Sequence, residues 1–520
     1  MPFPRPHWNR RHFLWTMAAS PFWNIAFAGP AIRQLKLSDY PFQLGVASGD
    51  PSPDGFVLWT RLAPDPVTGG GMPSQDVQVD WQLASDENMS RVIRQGSATA
   101  SPQLAHSVHV EIDGLEPDRW YWYQFKAGSE VSPRGRTRTA PPAQQMPSRL
   151  RFAFASCQHF EQGLFTAYEH MAREDLDLVV HLGDYIYEGP GIDGRIRKHG
   201  GGELYTLENY RNRYAQYKAD KNLQEAHAAF PWIVTWDDHE VDDNYANDIS
   251  EQPNVTPEKF LKRRADAYQA YYEHMPLRRS SLPSGPNLPL YRRLSFGRLA
   301  QFSVLDTRQY RTDQPCGEGR KPPCDEVYDP QATLLGAEQE EWLRNGLLQS
   351  NVRWNVLAQQ VMMARVDRQP GEEIRYQMDQ WPGYEANRRR VLQFLQENRI
   401  ANPVVLTGDI HSNWVNDLKT NFDKPEGPTV ATELVGTSIS SGGDGAQTRA
   451  DTERVLAENP FVKFYNSERG YVRCEVTPEE WRADYRVVEY VSRPGAPSLT
   501  RASFLLEDGR PGAQRLTADR

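Results

Sequence analysis

Cysteine is scarce in this chain, with four in 520 residues, too few for a fold held by a disulfide framework. A basic surplus is missing as well: 59 lysines and arginines face 68 aspartates and glutamates, a formal charge of −9. A chain of that sign repels polyanions as a whole, which argues against nucleic-acid scaffold binding while leaving room for a local positive site. Beyond the N-terminal leader no apolar run approaches 18 residues, so no transmembrane segment is expected in the mature protein. Internal repeats and long low-complexity stretches are absent too. What is plentiful is core material: 39% of residues are hydrophobic, including 14 Trp, 23 Tyr and 20 Phe, enough for two or three domains.

The N-terminus reads as an address. Asn9-Arg10-Arg11-His12-Phe13-Leu14 places paired arginines before an uncharged stretch, Phe13 to Ala28, and the first acid is Asp39. Thr16, Ser20, Pro21 and Asn24 keep that stretch only moderately apolar, and Ala26-Phe27-Ala28 offers small residues at the cleavage spacing. Residues 1–28 resemble a bacterial twin-arginine signal peptide, which implies the twin-arginine export machinery as a partner and a periplasmic or extracellular location.

Residues 40–140 show period-2 alternation: Val77, Val79, Trp81 and Leu83, then Val108, Val110 and Ile112, then Tyr121, Tyr123 and Phe125. This predicts antiparallel strands with one buried face, and Gly114 to Tyr123 resembles the corner of an immunoglobulin or fibronectin III sandwich. Pro141, Pro142 and Pro147 mark a linker. From 150 to 495 apolar runs alternate with amphipathic helices, expected at Pro257 to His274, Ala337 to Gln349 and Glu385 to Asn398. Residues 496–520 are expected to form a C-terminal tail.

Several apolar runs end in chemically capable residues. Phe152-Ala-Phe-Ala-Ser leads to Cys157; Leu176 to Leu182 leads to Gly183-Asp184-Tyr185-Ile186-Tyr187; Trp232 to Trp236 leads to Asp237-Asp238-His239-Glu240; Phe302 to Leu305 leads to Asp306-Thr307-Arg308; Pro403 to Thr407 leads to Gly408-Asp409-Ile410-His411. Doubly buried strands gather ligands beyond their carboxyl ends, so these residues are candidates for one site.

The set resembles the dinuclear metallophosphoesterases and, more closely, the PhoD-like alkaline phosphatases. The shared elements are Ala155-Ser156-Cys157-Gln158, Gly183-Asp184-Tyr185-Ile186-Tyr187-Glu188, Trp236-Asp237-Asp238-His239-Glu240 and Gly408-Asp409-Ile410-His411-Ser412-Asn413-Trp414. Leu44 to Pro51, Leu58-Trp59-Thr60-Arg61, Leu305 to Arg311 and Asp379-Gln380-Trp381 add to the likeness. It implies an α/β (α+β) metallophosphoesterase β-sandwich flanked by helices, preceded by the small all-β immunoglobulin or fibronectin III-like domain. It further implies a metal-dependent alkaline phosphatase acting on phosphate monoesters and also on diesters.

Cys157 stands where most of the superfamily has Asp, and with Tyr187, Asp184 and His411 it makes an anionic set suited to one Fe3+. Asp184, Asp238 and Asp409 form an oxygen-rich neighbour that favours Ca2+ over Zn2+, with one or two calcium ions implied. Asn244, Asn413 and Gln360 are further oxygen candidates. His239, with Glu240 beside it, is the candidate to protonate the leaving alkoxide. For Arg308 two readings stand: a clamp on a phosphate oxygen, or a buried salt bridge to an acid such as Asp306. His159 is expected beside the ligands and His181 in the core, and Tyr205, Trp381, Tyr384 and the Gly189 to Gly202 loop are expected to line the pocket. Cys316 and Cys324 flank a turn-rich loop that a short disulfide could close, and Cys474 is expected as a buried free thiol. A dedicated phosphodiesterase or phospholipase D-like enzyme, and an exported non-catalytic binding protein, are the alternatives. The sequence leaves the oligomeric state open.

Overall fold

The computed structural model describes residues 39–516 apart from Pro370 and Pro425, so the leader lies outside the described residues. Two β-sheets pack face to face, and strict alternation within each strand decides which side chain enters which layer. In one sheet Leu150–Ala155, Leu178–His181 and Pro231–Val234 run parallel to one another. Phe152, Phe154, Leu178, Val180 and Ile233 point into the space between the sheets. Ala153, Ala155, Val179, Trp232 and Val234 point the other way, onto an aromatic layer that includes Tyr168, Tyr210, Tyr214 and Tyr268 from helices.

The second sheet repeats the logic. Ala300–Val304, Trp354–Ala358, Pro403–Thr407 and Ala431–Val435 are parallel neighbours. Phe302, Val304, Val356, Ala358, Val404 and Leu406 face the first sheet, while Leu357 and Val405 meet Leu343, Leu347, Val391 and Leu392 of two outer helices. The result is helix, sheet, sheet, helix, in agreement with the expected β-sandwich flanked by helices. The predicted helices appear as Pro257–His274, Gly336–Gln349 and Glu385–Glu397. Pro257 sits in the first turn, where its missing N–H is harmless.

One strand belongs to both sheets. In Val462–Val476 the first half pairs with Asn413–Leu418 of the second sheet, and Val472 to Val476 pair with Leu150–Ala155 of the first.

The N-terminal region is all-β as expected, and Tyr121 donates its hydroxyl to the Glu116 carbonyl at 3.1 Å, the hydrogen bond that closes a sandwich corner. Its two layers differ in attachment. Val92–Ala100, Val77–Ala84, Trp120–Ala127 and Gly135–Arg138 make a separate sheet. Val46–Ser52, Gly55–Arg61 and Ser107–Ile112 instead extend the first of the two packed sheets, with Val46–Ser52 parallel to Pro231–Val234. The proline-rich segment near residue 145 is therefore a change of rhythm that the hydrogen bonding crosses. Gly49 permits the junction, because a Cβ there would lie 2.4 Å from the Pro276 carbonyl oxygen and 2.7 Å from that of Trp232.

The expected tail at 496–520 needs correcting. Ser498–Glu507 pairs with Glu480–Val488, and Arg510–Leu516 pairs back on Ser498–Glu507. Ala502, Phe504 and Leu506 alternate into the sandwich core, an apolar pattern that a solvated tail would not carry. Cys316 and Cys324 form a disulfide, and Cys474 is a buried free thiol.

Candidate active site

The carboxyl ends of the parallel strands of both sheets meet at one edge of the sandwich, and the loops there hold the chemistry. Cys157, Asp184, Asp409 and His411 are non-glycine residues in left-handed backbone, with φ of 57°, 57°, 64° and 53°. Each such residue costs about 1–3 kcal/mol and persists only where its surroundings enforce it. Loop-to-loop hydrogen bonds do so: Cys157 N–H donates to the Gly183 carbonyl at 3.1 Å and Gln158 N–H to that of Asp184 at 3.0 Å. Gly183 lets the second and third loops touch, since a Cβ would stand 2.5 Å from the Asp237 nitrogen.

Five of the six expected ligands fall into one connected group. Ligand atoms of Cys157, Asp184 and His411 lie within 4.8 Å of one another, and so do those of Asp184, Asp238 and His239, with Asp184 common to both. The Tyr187 hydroxyl donates to Asp184 Oδ2 at 2.8 Å, stands 3.2 Å from His411 Nε2 and accepts from Ser441 at 2.7 Å. Asp409 lies outside both three-residue groups; its Oδ2 accepts from Gln380 Nε2 at 2.6 Å.

The electrostatics call for cations. Burial pushes the Asp184 and Asp237 carboxyls well above the usual range, and neighbouring acids add to it. Asp409 is pushed up to about 7 by burial, then by Asp379 and Asp238. Burial and the Asp184 charge likewise hold the Cys157 thiol and Tyr187 phenol in their protonated forms. Asp184 Oδ1 is buried with no hydrogen-bond partner among the described residues. Sulfur, phenol, carboxylate and imidazole donors converging on an unpartnered buried oxygen fit metal ions, which would deprotonate the thiol and phenol and neutralise the acids.

His239 sits beside the ligand group. Its Nδ1 meets Glu188 Oε2 at 2.8 Å, its ring lies 4.2 Å from that of Tyr187, and it keeps 21% side-chain exposure. Burial disfavours its charge, but Glu188, Asp238 and Asp184 outweigh it and raise the imidazole well above its ordinary value.

Glu240 occupies another role than the one expected, and Arg308 matches the second of its two readings. The Glu240 carboxylate is 1% exposed and accepts backbone N–H bonds from Asp184 at 3.2 Å, Tyr185 at 2.5 Å and Asp237 at 2.9 Å. It is a positioning residue that ties two ligand loops together, because unpaired N–H groups so deep in the protein would be costly. Arg308 is fully buried, and its fork meets Asp237 at 2.5 Å, Asp379 at 2.8 Å and Asp238 at 3.5 Å. A guanidinium this buried is held by carboxylates, which is the salt-bridge reading, and its Nη2 makes no hydrogen bond among the described residues. The partner is not Asp306, whose Oδ1 instead accepts the backbone N–H groups of Arg308 and Gln309.

Gln360 and Asn413 spend their side chains on protein partners: Gln360 on Thr307, Thr235 and the Leu305 carbonyl, Asn413 on Thr437 and Asn466. Asn244 N–H donates to Asp238 Oδ2 at 2.7 Å. The His159 ring packs 4.4 Å from that of Tyr187, beside the ligands as expected. His181 is core, with burial lowering it to about 3, though its Nε2 finds no partner among the described residues. Trp381 and Tyr384 are fully buried, so of the expected lining residues Tyr205 and most of the Gly189 to Gly202 loop present a free surface.

Glu188, Asp379, Gln380 and Ser441 were given no role from sequence. The first three sit inside the motif segments, one residue away from or within the quoted blocks. Ser441 lies in the small-residue run Thr437-Ser-Ile-Ser-Ser-Gly-Gly, a turn signal that says nothing of which strand end it faces.

Comparison with known proteins places this geometry. The model of the PhoD-like phosphatase matches residues 152–485, and that of the PhoD-like phosphatase N-terminal domain matches residues 28–141. Alkaline phosphatase D of Bacillus subtilis (strain 168) is 55% identical over 487 residues, covering 92% of this chain and 83% of that protein. A solved structure of PhoD superposes with a TM-score of 0.91 at 54% identity, covering 93% of this chain and 94% of the other. On its sequence, its sandwich and its cluster of donors, this chain belongs to the PhoD-like phosphatase family.

Proposed function

We propose that the chain is an exported, metal-dependent alkaline phosphatase that hydrolyses phosphate monoesters, accepts diesters and releases inorganic phosphate. The phosphatase reaction itself follows from family membership. The observation that carries the reading is the convergence of Cys157, Asp184, Tyr187, Asp238 and His411 around one unpartnered carboxylate oxygen.

One Fe3+ would be held by Cys157, Tyr187, Asp184 and His411, the anionic set with thiolate and phenolate as strong donors. One or two Ca2+ would be held by Asp184, Asp238 and Asp409, with Asn244 nearest for a further oxygen. Bound there, the ions supply Lewis acidity and charge neutralisation for an in-line displacement at phosphorus. The chain's own groups do the rest. Glu188 fixes the His239 ring through Nδ1, which leaves Nε2–H to donate a proton to the departing alkoxide. Asp237, Asp379 and Arg308 hold the Asp238 loop against the second sheet. The leader of residues 1–28 supports the twin-arginine route, and no described helix is long and apolar enough to cross a membrane.

The test is hydrolysis of 4-nitrophenyl phosphate and of its bis(4-nitrophenyl) diester, with metal analysis of the freshly purified protein. Activity that calcium chelation abolishes, with iron near one equivalent, supports the proposal. Stoichiometric zinc without iron overturns the metal assignment, and turnover of the diester alone favours a dedicated phosphodiesterase.

A further inference from the structure

Arg61 ends the Leu58-Trp59-Thr60-Arg61 segment, to which the reaction above gives no task. It is 1% exposed and has no carboxylate within 4.0 Å among the described residues. Its guanidinium donates from Nε to the Ala105 carbonyl at 2.9 Å and from Nη1 to His274 Nε2 at 2.7 Å. Arginine can only donate, so His274 Nε2 is the acceptor, and that ring gives its Nδ1–H to the Ala270 carbonyl at 2.6 Å. The imidazole is thereby uncharged, and Arg61 is a buried cation without an anion, a costly arrangement unless something outside the chain completes it.

The third nitrogen shows where. Arg61 Nη2 has no hydrogen-bond partner among the described residues and faces Gly70, on the wall of a cavity of about 260 Å³ between the N-terminal β-domain and the helix Leu207–Lys218. A Cβ at Gly70 would lie 3.0 Å from Nη2, so glycine keeps that edge of the fork uncovered. With about 30 Å³ as one water's share of liquid volume, the cavity has room for a tetrahedral oxyanion and several waters. Arg211 of the helix lines the same cavity. It gives Nε to Glu273 at 2.7 Å and Nη2 to the Gln103 carbonyl at 3.1 Å, and its Nη1 has no partner among the described residues. Glu273 thus balances one guanidinium of the two. Glu208, the one acid on the cavity wall, is exposed and forms no ion pair with either arginine. The turn whose carbonyls both arginines hold is strained: Ala105 and His106 are consecutive non-glycine residues in left-handed backbone, with φ of 51° and 56°. Such strain gathers at ligand clamps.

We propose that Arg61 and Arg211 form a binding site for a phosphate-type oxyanion, in a cavity that none of the candidate metal ligands line. The planar forks match the oxygens of a phosphate group. The anion bridges the cleft beside the two existing ties, Arg211 to the Gln103 carbonyl and Gly69 N–H to Asn212 Oδ1 at 3.0 Å, and so fastens the β-domain to the helix. The inference goes beyond the phosphatase reading and does not depend on it.

The test is equilibrium dialysis of the metal-replete full chain against radiolabelled inorganic phosphate at low salt, before and after chelation. One site per chain should remain after chelation, and phosphate should raise the thermal midpoint of the chelated protein. Arg61→Gln should weaken that site at least tenfold, the loss of about one charge-assisted hydrogen bond, with thermal unfolding as the check that it folds. Glu208→Gln, an exposed change, should tighten it about twofold to fivefold, an effect that added salt shrinks, and leave hydrolysis of 4-nitrophenyl phosphate unchanged. Phenylphosphonate, which mimics an ester and is not hydrolysed, separates the two sources of the group: competition by it extends the site to phosphate esters, and failure to compete restricts it to the free ion. Absence of any phosphate site after chelation, or a site that neither variant alters, overturns the proposal and leaves the phosphatase reading standing.

Discussion

At the scale of single residues, His239 and Glu240 are neighbours in sequence with different tasks. For His239→Ala, kcat on propyl phosphate is expected to fall about 10²- to 10³-fold, the range of a lost general acid. On 4-nitrophenyl phosphate, whose leaving group needs no proton, the loss should be several-fold at most. Equal losses on the two substrates would remove the proton-donor role. Glu240→Ala is a stability variant: it leaves three buried N–H groups without an acceptor, and each costs about 1–3 kcal/mol. A drop of about 3 kcal/mol or more in urea unfolding is expected, with Glu240→Gln intermediate because one acceptor oxygen remains. An unchanged midpoint in Glu240→Ala would mean that those loops do not depend on it.

Secondary-structure elements make the next level. Deleting residues 497–520 removes Phe504 and Leu506 from between the sheets and leaves Glu480–Val488 with an unpaired edge. Such a chain should be insoluble or lose its cooperative thermal transition, whereas removal of a true tail would leave both unchanged. Gly49→Ala is expected to cost about 1–3 kcal/mol or more, since the added carbon meets rigid backbone oxygens on two sides. Much of this level was legible in the sequence. The strand ends carrying Cys157, Asp184, Asp238 and His411 could be read because a doubly buried strand is a short apolar run with a clear stop. The helix from Pro257 announced itself by an N-terminal proline and a regular apolar stripe. What could not be read was pairing between distant segments. Nothing local in Val46 to Ser52 says that it will lie beside Trp232, and nothing in Arg308 says that Asp237 and Asp379 will reach it before a substrate does. Those are outcomes of assembly, fixed by packing many residues away. The terminal hairpin was missed for a simpler reason: its apolar alternation is present but diluted by Arg501, Glu507 and Arg510.

For the molecule as a whole, metal and pH should act together on stability. In the metal-free protein burial, with Asp379 and Asp238 beside it, pushes the Asp409 carboxyl up to about 7. An acid whose folded pKa lies above its unfolded one keeps its proton in the folded state over a window where the unfolded chain gives it up. The contribution of such an acid to stability is fully present below about pH 4 and declines as pH rises to about 7. Raising the pH from 5.5 to 8 should therefore lower the melting temperature of chelated protein relative to that of metal-loaded protein, in which Asp409 is neutralised by a cation. Scanning calorimetry at both pH values checks this; parallel slopes with and without chelator would contradict it.

The strand Val462–Val476, hydrogen-bonded to both sheets, has a mechanical consequence. Cys157, Asp184 and Asp238 hang from one sheet and Asp409 and His411 from the other, so the spacing between the ions depends on how the sheets are held. A ribbon common to both leaves no hinge line between them, and the cage for the ions is set when the chain folds rather than when a substrate arrives. Cutting the chain within that strand should therefore disturb the spacing between the two sets of ligands.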